Sequence, residues 1–346
     1  MAIRRKVIPL QDAARPGVSM ARKIDWESHI GRRIKLRDLH VFFTVAQRGS
    51  MAKAAAHLGV SQPAVSEVIG DLEHAVGVRL LDRSSHGVEP TTYGLALLKR
   101  SAVVFDELKQ SVRDIEFLSD PTVGELRIGC AESIVAAILP PVIQRFAQQY
   151  PRVVLHVHRL ATPMLELPEL RERRLDLVLA RIVRPLANEN DDLHVEVLFE
   201  DRLVVAAGVH NPWARRRNIG LAELVNEPWI LTPPDSWTGM MVAEAFRARG
   251  LDMPRVAMTT FCFNLRTSLA ATGPFITAVP SSIQPLDLNR FLLKVLTVDL
   301  PAGPCSVVAV TLKNRMLSPV AQLFIDHVRA FTTSMAAGFE AEQQSA

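Results

Sequence analysis

The sequence predicts an α/β protein with a small all-α winged helix-turn-helix at its N-terminal end and one long helix between the two. Two short helices meet at a tight turn between Gly49 and Val76. An apolar stripe of helical period follows from Thr91 to about Leu118. From Gly124 onward short β-branched runs alternate with helical stretches, the pattern of a parallel sheet with helices on both faces.

The first element is an amphipathic helix from Leu36 to Arg48, with Leu36, Leu39, Phe43 and Ala46 on one face. Ser50 is a good N-cap for the next helix, and Ala54, Ala55 and Leu58 are strong helix formers. Gly59 stands where a left-handed residue normally ends a helix. Ser61 then caps a second helix, and Pro63 is tolerated in its first turn, where N–H groups are unbonded anyway. Val65, Val68, Ile69, Leu72 and Val76 make its apolar stripe, leaving Gln62, Ser66 and Glu67 facing outward. A second helix of this kind, polar at its N-terminal end, is the one that enters the DNA major groove. Val78 to Leu81 and Gly87 to Val88 read as a two-stranded wing, with Ser84, Ser85 and His86 at its tip.

At this point the sequence resembles the N-terminal domain of LysR-type transcriptional regulators. The matching residues are Phe43, Gly49-Ser50, Ala54-Ala55, Leu58, Ser61 to Ser66, Ile69, Leu72-Glu73, Gly77, Leu80, Arg83, Thr91 and Gly94. Two departures stand out. Leu81 occupies a position where the family usually carries Phe, and Glu67 one where it usually carries Arg, Lys or Gln, with a basic residue near Gly70. A carboxylate repels phosphate but can accept a hydrogen bond from cytosine N4. The residues expected to meet DNA are Ser50, Lys53, Ser61, Gln62, Pro63, Ser66, Glu67, Arg83 and His86. Gln62, Ser66 and Glu67 are the base-reading candidates, and Lys53, Arg83 and His86 the phosphate or groove contacts.

Thr91 caps the long helix, whose stripe is Leu95, Leu98, Ala102, Phe105, Leu108, Val112 and Ile115. With no domain of its own to cover it, that stripe predicts pairing with the same helix of a second subunit. The resemblance implies the same thing, a dimerising linker. Beyond it, strands are expected at Glu125–Gly129, Val153–Leu160, Asp176–Ala180, within Leu198–Ala207, and at Ile276–Pro280 and Val307–Leu312. Helices are expected from Glu132 to Tyr150, near Leu221, from Gly239 to Arg249 and from Pro319 to Phe331, the last dozen residues being frayed. This region resembles the LysR-type effector domain, which has the fold of periplasmic binding proteins. The resemblance implies two α/β subdomains joined by crossings near Val195–Glu200 and Leu296–Leu300. The expected divisions are a DNA-binding domain at 36–93, a linker at 94–120 and an effector domain at 124–331. Subdomain one takes 124–195 and 301–331, and subdomain two takes 196–300.

In open α/β sheets, ligands sit beyond the carboxyl ends of the strands, where helix N-termini point inward. Cys130–Ser133, Leu160–Thr162, Ala180–Ile182 and Thr232–Ser236 meet that description. Ser133, Thr162, Arg181 and Thr232 are therefore the effector-binding candidates, with Arg181 pairing a carboxylate on a possibly anionic effector. Ser133 reads equally as a helix cap, and Arg181 as a surface ion-pair partner.

The bulk numbers exclude more than they identify. The chain has 346 residues, room for two or three domains, and a net charge of +4 spread along its length. Three cysteines, Cys130, Cys262 and Cys305, lie far apart, without metal-ligand spacing. Such sparse cysteines fit a reducing cytoplasm, and Cys262 between Phe261 and Phe263 reads as a buried, inert thiol. A redox-responsive regulator working through Cys130 is the alternative, although no resolving cysteine lies nearby in sequence. No run is apolar enough to cross a bilayer. Residues 1–33 are basic and irregular, either an arm on phosphates or a disordered extension. No nucleophile elbow, zinc-helix motif or phosphate-cradling loop is present, and His156 and His158 share a strand face without a third ligand. An enzyme or an exported solute-binding protein on the same fold is the remaining class. The expectation is a cytoplasmic, non-enzymatic regulator without cofactor, a homodimer or homotetramer. Its expected partners are double-stranded DNA, a small effector and RNA polymerase, with no membrane.

Overall fold

Ser50 and Ser61 each turn the chain into a helix in the computed structural model, which describes residues 34–84, 87–160, 167–182, 191–286 and 292–344. Residues 1–33, Ser85, His86 and Thr162 fall outside that description. The chain divides at Leu108 into two units.

In the first unit, α1 (Leu36–Arg48), α2 (Met51–Leu58) and α3 (Gln62–Val76) pack around Phe42, Val45, Ala54, Val65, Ile69 and Leu72. The buried face of α1 is Val41, Phe42 and Val45, one position away from the expected stripe, and Leu36 is 48% exposed. An apolar run from Val41 to Val45 offers two faces, and Phe43 takes the other, against Phe105. Gly59 has φ of 66° and φ > 0 is what closes α2, so the two helices can meet at their alanines. The wing is β1 (Leu81–Ser84) paired antiparallel with β2 (Gly87–Pro90). It begins at Leu81 rather than Val78 because the Leu80 amide donates to the Glu73 carboxylate at 2.7 Å, not to a strand. Leu81 donates to the same oxygen, at 3.1 Å, which pins the wing to α3. Helix α4 (Thr92–Ser119) opens on Thr91, whose hydroxyl accepts from Gly94 N at 3.0 Å. A side chain on Gly94 would place its Cβ 2.0 Å from the Leu80 carbonyl oxygen, so this junction requires glycine.

The second unit holds two mixed sheets rather than wholly parallel ones. The first has the order β4 (Arg152–Arg159), β3 (Val123–Cys130), β5 (Leu177–Ile182), β12 (Cys305–Leu312), β6 (Leu193–Asp201). Strand β12 runs antiparallel to both of its neighbours. The second sheet has the order β11 (Leu293–Val295), β7 (Leu203–Gly208), β10 (Ile276–Pro280), β8 (Trp229–Leu231), β9 (Val256–Thr259), with β7 and β11 antiparallel.

The expected strand across Leu198–Ala207 is two strands broken at Arg202, and that break is the first crossing. Val195–Glu200 instead belongs to β6. The second crossing comes after Leu300, because Leu296, Val298 and Leu300 are packed in the second subdomain. The helix expected from Glu132 to Tyr150 is α5 (Glu132–Ala137) and α6 (Leu139–Gln149), interrupted at Ile138 before Pro140 and Pro141. Pro168–Arg171 forms the short α7, the stretch at Leu221 is a single 3₁₀ turn, and α8 spans Trp237–Ala248. Helix α9 (Phe263–Thr272) was absent from the sequence-based expectation, and α10 runs from Pro319 to Gln344, well past Phe331. The largest core, around Ile128, Phe146 and Phe324, also takes in Ala206, Phe263, Val279 and Ile283 from the second subdomain.

Candidate nucleic-acid interface and effector cavity

On the first unit, the N-terminal end of α3 is open to solvent. Gln62 and Glu67 are exposed and Ser66 is half-buried. Ser50 Oγ accepts from Lys53 N at 3.5 Å and Ser61 Oγ from Ala64 N at 3.4 Å, so both serines act as caps. Lys53 and Pro63 are exposed beside them. Arg83, from the wing, donates through Nη1 to Ser66 Oγ at 3.3 Å. The wing and the first turns of α3 therefore form one polar surface, and Arg83 orients a candidate base-reading hydroxyl besides offering its charge.

In the second unit a cavity of about 310 Å³ is lined by Ala131, Glu132, Ser133, Arg159, Leu160 and Arg181 from the first subdomain. Thr232, Ser236, Trp237, Thr238, Phe261, Phe263 and Arg266 line it from the second. Of the expected segments, Ala131–Ser133, Leu160 and Arg181 come together here with Thr232 and Ser236. Thr232 and Ser236 share a hydrogen bond of 2.5 Å, and Ser236 caps α8 by accepting from Gly239 N at 3.1 Å.

Arg181 is a buried ion-pair partner rather than a surface one. Its side chain is 3% exposed, and it donates to Asp201 Oδ2 at 3.0 Å and 3.3 Å, to Ser282 Oγ at 3.2 Å and to Ser133 Oγ at 2.6 Å. Ser133 is therefore a partner of Arg181 rather than a helix cap, and α5 has Ala131 at its cap position. Asp201 also accepts from the Ser281 hydroxyl at 2.9 Å and the Ser282 amide at 3.1 Å. This network joins β5 and β6 of one subdomain to the turn after β10 of the other.

Arg266 is the cavity residue that sequence reasoning missed. It is 2% exposed, and its Nε and Nη1 have no hydrogen-bond partner among the described residues. Burial lowers its guanidinium to about 10, and the charge of Glu132 opposes that fall without reversing it. At that value it is still a cation near neutrality. Trp237 Nε1, in the same lining, is also buried with no acceptor among the described residues.

Comparison with known proteins identifies the architecture. Residues 119–332 match the LysR substrate binding domain, and residues 36–95 match the bacterial regulatory helix-turn-helix of the lysR family. The chain belongs to the LysR-type transcriptional regulators. It is a sequence-specific DNA-binding regulator with an effector-binding domain. It is 27% identical to the HTH-type transcriptional regulator TdcA of Escherichia coli, covering 86% of this chain and 94% of that protein. It is 26% identical to the transcriptional dual regulator GltC of Bacillus subtilis, covering 87% and 99%. Two full-length structures share the fold. One is CbnR complexed with its target DNA, at 22% identity and a TM-score of 0.58, covering 86% of this chain and 99% of that one. The other is OxyR from Pseudomonas aeruginosa, at 20% identity and a TM-score of 0.60, covering 85% and 97%.

The cysteines of this LysR-type regulator are all free thiols. Burial pushes Cys130 and Cys305 up to about 12, the reverse of what a reactive thiolate needs. Cys262 is half-buried, not buried as its aromatic neighbours suggested. No helix among the described residues is long and apolar enough to cross a membrane.

Proposed function

We propose that this regulator binds a two-half-site operator as a homodimer, or a dimer of dimers, and that a small molecule in the effector cavity changes how the dimers sit on DNA. The observation that carries the effector half is the cavity itself, lined from both subdomains, with a buried cation in its wall whose Nε and Nη1 find no partner among the described residues. A ligand there touches both subdomains, so its affinity changes wherever their relative placement changes. That difference is the whole of its regulatory leverage. The dimer half is supported by α4, where Leu108, Val112, Ile115 and Leu118 are 43%, 55%, 63% and 78% exposed.

On the DNA, Gln62, Ser66 and Glu67 read bases while Lys53 and Arg83 meet phosphates. The regulator works in the cytoplasm, engages RNA polymerase, and needs neither catalysis nor a cofactor. The buried Cys130 and Cys305 thiols favour small-molecule over redox control. The test is a band-shift titration on the DNA immediately upstream of its own gene, repeated with metabolite pools. A cooperative complex spanning two half-sites, whose affinity or footprint changes with a dialysable fraction, is expected. An unaltered footprint with every fraction counts against the effector reading.

A further inference from the structure

We infer that the effector is an anion with an apolar body, a small carboxylate, and that Arg266 on α9 receives its charge. This rests on the cavity being the effector site. Three guanidiniums line the cavity, and two of them are already answered. Arg181 is held by Asp201, and Arg159 pairs with Glu132 at 3.4 Å. Among the described residues, Arg266 has the more distant influence of Glu132 and the ring of Phe263, whose centroid lies 5.8 Å from its central carbon.

A buried cation with unmet donors is costly to a fold, and the cost is removed when a ligand supplies the missing acceptor. The fork geometry of a guanidinium matches a carboxylate, which accepts through both oxygens. Trp237 Nε1 points to the same chemistry, because an indole N–H can only donate. At Arg266 and Trp237 an amine would meet donors with donors, so these two groups favour an anion. Leu160, Trp237, Phe261 and Phe263 supply apolar wall for the rest of the molecule. A volume of about 310 Å³ stands at the small end of ligand cavities.

The decisive experiment uses the full-length chain with phenylacetate and its uncharged isostere phenylacetamide, at constant ionic strength. Thermal unfolding and tryptophan fluorescence are read on wild type and on Arg266→Met. In wild type, phenylacetate should raise Tm saturably by several degrees, and phenylacetamide should not. Arg266→Met should lose at least tenfold in phenylacetate affinity, while its unliganded Tm equals or exceeds that of wild type because the unpaired cation is gone. Arg266→Lys should recover part of the affinity.

Equal binding of acid and amide, undiminished binding by Arg266→Met, or no saturable response of wild type to phenylacetate overturns the assignment. Were Arg266→Met not to fold, the acid–amide pair on wild type decides alone. The two readings fail separately: an amide that shifts both Tm and operator affinity keeps the cavity as the effector site while removing the anion, and a phenylacetate that binds through Arg266 without changing operator affinity keeps the anion site while removing the effector role.

Discussion

Arg181 and Arg266 line one cavity with the same guanidinium and opposite surroundings. Arg181 has a carboxylate and two hydroxyls, and Arg266 has two donors with no acceptor. A third pattern sits at Asp176, where one carboxylate serves two arginines. It accepts from Arg127 Nη2 at 2.8 Å and Arg315 Nη2 at 2.9 Å. Burial raises this carboxyl, but the bonds and charges of Arg127 and Arg315 outweigh it and hold it below the ordinary 3.8. A folded value below the unfolded one means that the ionised form favours folding. Its contribution is complete above the unfolded value and is lost as pH falls through the folded one. Asp176→Asn should therefore cost on the order of 3–5 kcal/mol near neutrality, and its stability should fall less steeply than wild type below about pH 4. Urea unfolding across pH checks both. On the DNA side, Arg83→Ala should weaken binding to all sequences about equally and lower the salt slope by roughly one. Loss of base preference at one position instead would mean that its bond to Ser66 Oγ matters more than its charge.

Among elements, α4 carries the clearest consequence. Its stripe is not uniform. Phe105 makes edge contacts with His40 and Phe43, at centroid distances of 5.8 Å and 5.9 Å, so it packs against α1. The face left for a partner is Leu95, Leu108, Val112, Ile115 and Leu118. Burying each large side chain is worth roughly 1.5–3 kcal/mol, enough in sum to drive association. Leu108→Glu with Val112→Glu should keep both units folded while abolishing dimers held through this helix. Binding to paired half-sites should then collapse, since each monomer loses the gain from linkage. Sedimentation and band-shift measurements on one sample would test it, and a dimer of wild-type operator affinity would contradict the assignment.

At the scale of the whole effector region, the two subdomains are held by more than their crossings. Phe263, Val279 and Ile283 extend the first core into the second subdomain. Beside them, Asp201 ties Arg181 to Ser281 and Ser282, across the break between β6 and β7. The Arg181 and Asp201 side chains are 3% and 0% exposed, so solvent does little to screen the pair. Asp201→Asn leaves a buried cation short of its counter-charge and should cost about 3–5 kcal/mol. Denaturant unfolding of the full chain measures the loss, and a change below about 1 kcal/mol would place the pair among interactions of surface strength.

Local rules sufficed for the first unit. Caps at Ser50 and Ser61, the turn at Gly59 and the apolar stripe of α3 depend on residues within a few positions, and they determine the helix-turn-helix and its outward residues. The alternation after Gly124 likewise determined an α/β region, and loop position brought Ser133, Arg181 and Thr232 to one cavity. Strand direction, the break at Arg202 and the fate of each arginine were decided by partners far along the chain. Asp201 lies 20 residues from Arg181 and Ser282 lies 101. Helix α9 shows no apolar stripe because its one buried face, Phe263, Arg266, Thr267 and Ala270, includes two polar residues while Leu265 is exposed, and its cap residue Cys262 makes no side-chain capping bond. Periodicity reports a boundary between core and water. A buried face that carries polar residues beside an exposed leucine hides that boundary, so only the tertiary structure revealed Arg266.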